Sequence, residues 1–159
     1  MSEPLVVRAM EPADGPGLVA LFQEMQAHYR VPCPPAERIA ADLANLPPGV
    51  DLFVAAEPAI VGFAAVCALY PGPGLRPGCF LKELFVAGQA RGRGVGTGLL
   101  RAVSRSALQR GFARIDWTAA SGDAGLRAYY RTTGAVEQPD KLFFRLTGDA
   151  LERFASEPA

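Results

Sequence analysis

Histidine and cysteine are scarce: the 159 residues hold one histidine, His28, and three cysteines, Cys33, Cys67 and Cys79. One histidine leaves little material for His-based triads or His-rich metal sites. The odd cysteine count with no Cys-x-x-Cys spacing argues against a disulfide framework or a zinc site, so no metal is expected and a reducing cytoplasm is the expected compartment. No apolar run approaches the roughly 20 residues that span a bilayer. The opening MSEPLVVRAMEP shows no basic segment leading into an apolar one, so neither an export signal nor a membrane partner is expected. Net charge is absent as well, with 16 Lys+Arg against 16 Asp+Glu, which weighs against a chain built to bind nucleic acid non-specifically.

Half of the residues are hydrophobic and a fifth are charged, enough for a packed core. The length suits one domain over residues 1–159. The neutral total conceals an asymmetry. Met1 to Val86 carries five Lys/Arg against nine Asp/Glu, and the remainder eleven against seven, with Lys141 its only lysine. A positive half offers a local field to an anionic ligand; ordinary scatter of surface charge is the alternative.

Leu5–Met10 reads as a strand, and Pro12 and Asp14 punctuate the entry to an amphipathic helix running to about Arg30, with Leu18, Leu21, Phe22 and Met25 at helical spacing. After the proline-rich break Val31–Pro35, Ala36–Leu46 reads as a second helix. Asp51–Ala56 and Ile60–Leu69 suggest a hairpin, Tyr70–Gly78 a loop and Cys79–Val86 a further strand. A helix is expected from Val95 to Arg110, a strand over Ala113–Ala119, a helix over Asp123–Thr133, a last strand over Lys141–Leu146 and a short helix over Gly148–Ala155. That order indicates a mixed α/β (or α+β) domain.

The informative segment is Arg91-Gly92-Arg93-Gly94-Val95-Gly96-Thr97-Gly98, between a strand and a helix. Glycines let the backbone approach a ligand and adopt positive φ. The first turn of the following helix offers outward amides and the positive dipole end. Together they make an anion cradle suited to a pyrophosphate, to which Arg91 and Arg93 can add charge-assisted hydrogen bonds. The segment has no lysine, so it is not a Walker loop, and its glycine spacing fails Gly-x-Gly-x-x-Gly. Its place after four candidate strands also departs from a dinucleotide fold, which opens on its glycine loop. A flexible Gly/Arg turn is the other reading.

Arg91 to Gly96 satisfies Gln/Arg-x-x-Gly-x-Gly/Ala, and Leu84-Phe85-Val86 lies just upstream. Downstream, Asp123-Ala124-Gly125-Leu126-Arg127-Ala128-Tyr129-Tyr130 leads to Gly134-Ala135. On these motifs, in this order, the chain resembles the GNAT superfamily of acetyl-CoA-dependent N-acetyltransferases. Within it the chain is most similar to the diamine, spermidine/spermine and thialysine acetyltransferase group, through Leu81–Val86, Trp117 and Tyr129-Tyr130. Asp123 stands where that family usually has Asn, and Leu126 where it usually has Ala. Lys82 stands where polyamine-acetylating relatives carry a substrate-facing Glu, placing a cation where a cationic acceptor would dock.

The resemblance implies a central mixed, mostly antiparallel sheet whose fourth and fifth strands splay apart, flanked by helices. It implies acetyl-CoA as co-substrate, with its pantetheine arm along Leu84, Phe85 and Val86 and its pyrophosphate on Arg91, Gly92, Arg93, Gly94, Val95, Gly96 and Thr97. Asp123 and Tyr130 are placed on the cofactor side, Tyr130 as the family's general acid. A homodimer is also implied. A lysine-type amine with a pKa of about 10.4 is unprotonated in roughly one molecule in 2,500 at pH 7, so the reaction benefits from a base. Glu83, on the strand beside the expected thioester, is the leading candidate, ahead of Asp51 and Glu24; an exposed or ion-paired carboxylate is its alternative. Strand alternation puts Lys82 and Glu83 on opposite faces. Glu24, His28, Lys82, Glu83 and Trp117 are the candidate acceptor contacts. On spacing alone Tyr130 reads as a core aromatic and Trp117 as a packing residue, with Arg101, Arg105, Arg110 and Arg114 as a solvated face. The expected activity is acetyl transfer to a primary amine of a small molecule by direct attack in a ternary complex. A non-catalytic acyl-CoA-binding domain and a protein N-terminal or lysine acetyltransferase are the alternatives.

Overall fold

The apolar runs of the first half of the chain pair into antiparallel ladders in the computed structural model, which describes residues 4–158. Strand β1 (Val6–Ala9) is followed by helices α1 (Gly15–Tyr29) and α2 (Ala36–Ala44), then by strands β2 (Val50–Ala56), β3 (Ile60–Leu69) and β4 (Gly78–Val86). Helix α3 (Val95–Gln109) leads to the short strand β5 (Ile115–Asp116). The sheet runs β1-β2-β3-β4-β5, antiparallel throughout except for the parallel β4–β5 pair. This is the mixed, mostly antiparallel sheet flanked by helices that the sequence implies.

Two neighbouring residues of β3 show how the layers divide. Phe63 is 1% exposed and packs with Phe22 of α1, their ring centroids 4.6 Å apart. A Cβ on Gly62 would meet Val95 and Leu99 of α3 at 3.0 and 3.1 Å. Successive strand residues face opposite sides, so α1 and α2 cover one face of the sheet and α3 the other. The α1 face gathers Leu18, Leu21, Met25, Ile39, Leu43, Leu52, Val54 and Phe85 around Phe63. The α3 face receives Val95, Leu99, Leu100, Val103 and Ala107.

Entry into α1 is fixed by one buried carboxylate. Asp14, 7% exposed, accepts from both Nη atoms of Arg8 at 2.7 and 2.9 Å and from the Glu11 amide at 2.7 Å. The Arg8 hydrogen bonds hold the Asp14 carboxyl below its ordinary range, against the opposing effect of its own burial. A depressed folded-state value contributes stability above the unfolded value of about 3.9 and loses it as the pH falls through the folded value. Asp14→Asn is therefore expected to cost about 1.5 kcal/mol at pH 7, the solvated side of Arg8 keeping the loss modest. Urea unfolding at pH 7 and pH 3 checks this: the gap between variant and wild type should narrow at the lower pH.

Contacts divide the chain into two compact units, one ending at Thr118 and one beginning at Ala119. The second holds α4 (Ala124–Thr132) and α5 (Gly148–Ser156). The Asp123 carboxylate caps α4, accepting from the Leu126 amide at 2.8 Å. Glu137 accepts from Arg127 at 2.9 Å and from Arg131 at 2.6 Å, and these two guanidinium groups lower its carboxyl to about 2. That tie is lost only as the pH falls toward about 2.

Two expected strands differ from what folds. Ala113–Ala119 contracts to Ile115–Asp116, because only Cys79 and Phe80 of β4 pair with it. Lys141–Leu146 forms no strand: its residues have strand-type side chains but no ladder partner among the described residues, and Leu142 and Phe144 stand 79% and 86% exposed. A strand exists only where a neighbour supplies its hydrogen bonds, which composition cannot report.

Candidate active site

Strand β4 carries the centre of the site because it loses a neighbour halfway along. Cys79 and Phe80 pair with β5, after which β4 runs on from Leu81 to Val86 with β3 as its only strand partner among the described residues. The edge over Leu84–Val86 has no described strand beside it, and Arg91 bonds to its Val86 carbonyl, so it suits an amide-bearing chain laid along it.

The glycine loop begins where this edge ends. Gly92 and Gly94 take φ of +73° and +81°, the left-handed region that side chains disfavour. Nothing lies within 4 Å of a Cβ built on either, so the requirement there is conformational rather than steric. Gly94 caps α3, whose first intrahelical bond runs from the Gly98 amide to the Gly94 carbonyl at 2.9 Å. The amides of Val95 and Gly96 have no acceptor one turn back and leave the helix at its positive end. The geometry fits an anion held by backbone.

The two loop arginines are not equivalent. Arg91 turns back onto β4, its Nε donating to the Val86 carbonyl at 3.0 Å and its guanidinium lying 5.4 Å from the Phe85 ring centroid. Arg93 instead gives Nη2 to both carboxylate oxygens of Glu57, at 2.7 and 2.6 Å. Glu57, in the turn between β2 and β3, is a site residue that the sequence reading missed; an acid beside a hairpin turn carries no signal of its distant partner.

On the α1 face, Glu83 accepts a hydrogen bond from the Tyr29 hydroxyl at 3.0 Å. The His28 ring lies edge-on to Tyr29 and tilted against Phe85, with centroids 5.3 and 5.9 Å away. Glu24 accepts from the Gly88 amide at 2.8 Å and so fastens α1 to the start of the glycine loop. Glu24, His28 and Glu83 are therefore brought together by α1 and β4. Asp51 is not: it lies opposite Val66 on the α3 face, ion-paired to Arg110. Arg114 pairs with Asp116, and Arg101 and Arg105 are exposed.

The expectation for Lys82 needs correction. The β3–β4 register runs to Val66↔Leu81, slips one residue, and resumes at Ala65↔Glu83. Phe80 pairs with Cys67 and Glu83 with Ala65, so these two β4 residues, three apart, share a face. Unbroken alternation, on which opposite faces for Lys82 and Glu83 rested, does not run through this point. Lys82 is the unpaired, exposed residue of a β-bulge, set off the ladder beside Glu83.

Trp117 follows β5 in the same unit and is half-buried. Asp123 and Tyr130 belong to the second unit, where Asp123 caps α4 and the Tyr130 ring lies 5.4 Å from that of Tyr129. A separate groove of about 550 Å³ between β1, β2 and α3, bordered by Arg8, Asp51, Arg105 and Arg110, includes none of the residues gathered around β4 and the glycine loop. No group of three or more metal-ligating side chains occurs among the described residues, and none of their helices is long and apolar enough to cross a membrane.

A mixed sheet with parted fourth and fifth strands, and a glycine loop running from the open edge into a helix, defines an acyltransferase-type fold. The chain belongs to the acetyltransferase (GNAT) family, whose sequence model matches residues 18–135. It is similar to an L-ornithine N5-acetyltransferase of Arabidopsis thaliana, 29% identical over 93 residues, which are 58% of this chain and 41% of that protein. The chain thus aligns with less than half the length of that relative. Among solved structures, an integron cassette protein from the mobile metagenome of V. cholerae superposes with a TM-score of 0.87 at 27% identity over 99% of both chains. An aminoglycoside acetyltransferase from an uncultured soil metagenomic sample shares the fold, with a TM-score of 0.73, 22% identity, and 90% of this chain and 97% of that one covered.

Proposed function

We propose that this protein transfers the acetyl group of acetyl-CoA to a primary amine of a small molecule of the diamine, polyamine or amino-acid-like class, by direct attack in a ternary complex. The observation that carries the reading is the junction of β4 and α3. There an unpaired strand edge runs directly into a positive-φ glycine loop, and Glu83 is held on the same strand by Tyr29.

The amides of the Arg91–Thr97 loop hold the pyrophosphate, and the free edge of Leu84, Phe85 and Val86 receives the pantetheine amides. A backbone amide of this edge is then available to the thioester oxygen, a small oxyanion site. Glu83, directly or through one water, takes the proton that the ammonium must lose before attack. The amine nitrogen bonds to the carbonyl carbon, the carbon–sulfur bond breaks, and the nitrogen gives up its second proton to the leaving sulfur or to water. By its match to the family motif, Tyr130 is assigned the hydrogen bond to the departing thiolate. Model-compound values near 10 for Tyr and 8.5 for a thiol make that hydrogen bond at least as favourable as complete proton transfer. Direct attack is supported by the state of Cys79, whose thiol is 3% exposed and pushed up by burial, a poor acyl-carrying nucleophile. The same reading places the protein in the cytoplasm as a homodimer, for which Phe143, Phe144 and Phe154, all exposed, offer apolar surface; sedimentation at several concentrations tests the dimer.

Release of free CoA thiol from acetyl-CoA across a panel of diamines, polyamines, diamino acids and aminoglycosides tests the activity. Acceptor-dependent release is expected. Tight CoA binding with no release on any acceptor would make the domain a binding module instead. Tyr130→Phe is expected to lower kcat about tenfold, the value of one lost hydrogen bond, with acetyl-CoA affinity nearly unchanged. Wild-type turnover in that variant would remove Tyr130 from the mechanism.

A further inference from the structure

The pairing of Arg93 with Glu57 bears on how the glycine loop keeps its shape. Arg93 is the one residue between Gly92 and Gly94, the two positive-φ positions that form the cradle. A segment with three glycines in the seven residues Arg91–Thr97 is flexible as a free chain, and ordering it on a ligand costs more conformational entropy than ordering an average segment. Something must hold it if the amides are to be aimed before the ligand arrives. The Arg93 guanidinium reaches Glu57 with Nη2 at 2.7 and 2.6 Å from the two carboxylate oxygens. Glu57 is only 12% exposed and lies in the turn between β2 and β3, whose strands belong to the rigid sheet. A largely buried carboxylate on a short turn is a fixed anchor. The half-exposed arginine is the movable partner.

We infer that Glu57 is a positioning residue of the cofactor loop: its ion pair with Arg93 latches the loop to the β2–β3 turn, so that backbone amides, not the Arg93 guanidinium, hold the anion. This rests on reading the loop as an acetyl-CoA cradle. Arg91 is tied in parallel, to the Val86 carbonyl and the Phe85 ring, so the two arginines pin the loop at two points on either side of Gly92. The pairing also keeps a guanidinium turned away from the incoming phosphates, where its charge acts only at longer range. Preorganisation of this kind strengthens binding by lowering the ordering cost rather than by adding a contact to the ligand.

The test is a set of CoA titrations on the full chain with Glu57→Gln, Arg93→Gln and the double variant. Each single variant is expected to raise Kd for CoA about tenfold, and the double variant no more than either single one, because both remove the same latch. In turnover assays KM for acetyl-CoA should rise with kcat at saturation unchanged, at temperatures where each variant is fully folded. In the free protein, amide hydrogen exchange over residues 91–97 should quicken in Glu57→Gln. Tighter CoA binding by Glu57→Gln together with weaker binding by Arg93→Gln would overturn the inference, since Arg93 would then be a phosphate ligand that Glu57 competes for. Unchanged Kd and unchanged exchange in all three variants would overturn it too. Failure of the wild-type protein to bind CoA would instead overturn the proposed function, and the exchange measurement would still decide whether the latch exists.

Discussion

Replacing Glu83 with glutamine is expected to lower kcat for amine acetylation by about 100-fold at neutral pH, at nearly unchanged affinity for acetyl-CoA. The substitution is close to isosteric. The amide oxygen of the introduced glutamine still accepts from the Tyr29 hydroxyl that holds Glu83 at 3.0 Å, so the loss isolates the proton acceptor from its placement. The deficit should also depend on pH in one direction. An acceptor amine with a pKa of about 10.4 needs help losing its proton at pH 7 and needs progressively less as the pH approaches that value. The ratio of wild-type to variant turnover should therefore shrink from pH 7 to pH 10, measured at saturating acetyl-CoA. Glu24→Gln is the matched control, because the Glu24 carboxylate already accepts the Gly88 amide at 2.8 Å and serves to fasten α1. A Glu83→Gln enzyme with full turnover across this range would exclude Glu83 as the base, and a deficit constant with pH would make it a substrate-binding group.

The largest loss of stability is expected at Phe63. Its ring is 1% exposed and lies 4.6 Å from Phe22 and 6.4 Å from Phe85, at the point where α1 meets β3 and β4. Phe63→Ala removes the ring's burial and leaves a cavity that neither a helix nor a five-stranded sheet can close by small shifts, so the cost is about 4 kcal/mol. Against a typical total of about 5–15 kcal/mol this leaves little margin. For a chain of this size it corresponds to a fall in melting temperature of roughly 10 °C. Urea unfolding at 25 °C measures it, with Phe63→Leu as the milder comparison at about 1.5 kcal/mol. A cost below about 1 kcal/mol for Phe63→Ala would mean that the α1 face is far less tightly packed than its burial indicates. The effect reaches the site as well. Phe85 packs against both Phe63 and His28 and lies two residues from Glu83 on β4, so loosening this cluster should also weaken amine turnover at temperatures where the variant is still folded.

Much of the architecture is written locally. The period of Leu18, Leu21 and Met25, all buried, fixes α1, and the β-branched runs on either side of Glu57–Pro58 fix the β2–β3 hairpin. Where a local signal needs a distant partner, the reading fails. Lys141–Leu146 has the side chains of a strand but no ladder to join among the described residues, and Ala113–Ala119 keeps only the two residues that meet Cys79 and Phe80. Lys82 shows the same limit at finer scale. A period of two is a property of an unbroken ladder, and the one-residue slip opposite Ala65 and Val66 is set by the fit of two strands, not by either sequence alone.

The site divides along the same line. The amino-acid sequence by itself determined the glycine loop, its two arginines, and Glu83 on the strand before it, because these are contiguous and each residue type carries its own conformational or chemical preference. Only the tertiary structure decided which partner each side chain meets there. Glu83 finds Tyr29 across 54 positions of chain and Arg93 finds Glu57 across 36. Such pairs arise from the packing of helix and turn against the sheet. Local periodicity has no term for them, and the fold alone sets which carboxylate meets the Tyr29 hydroxyl and which meets the loop arginine.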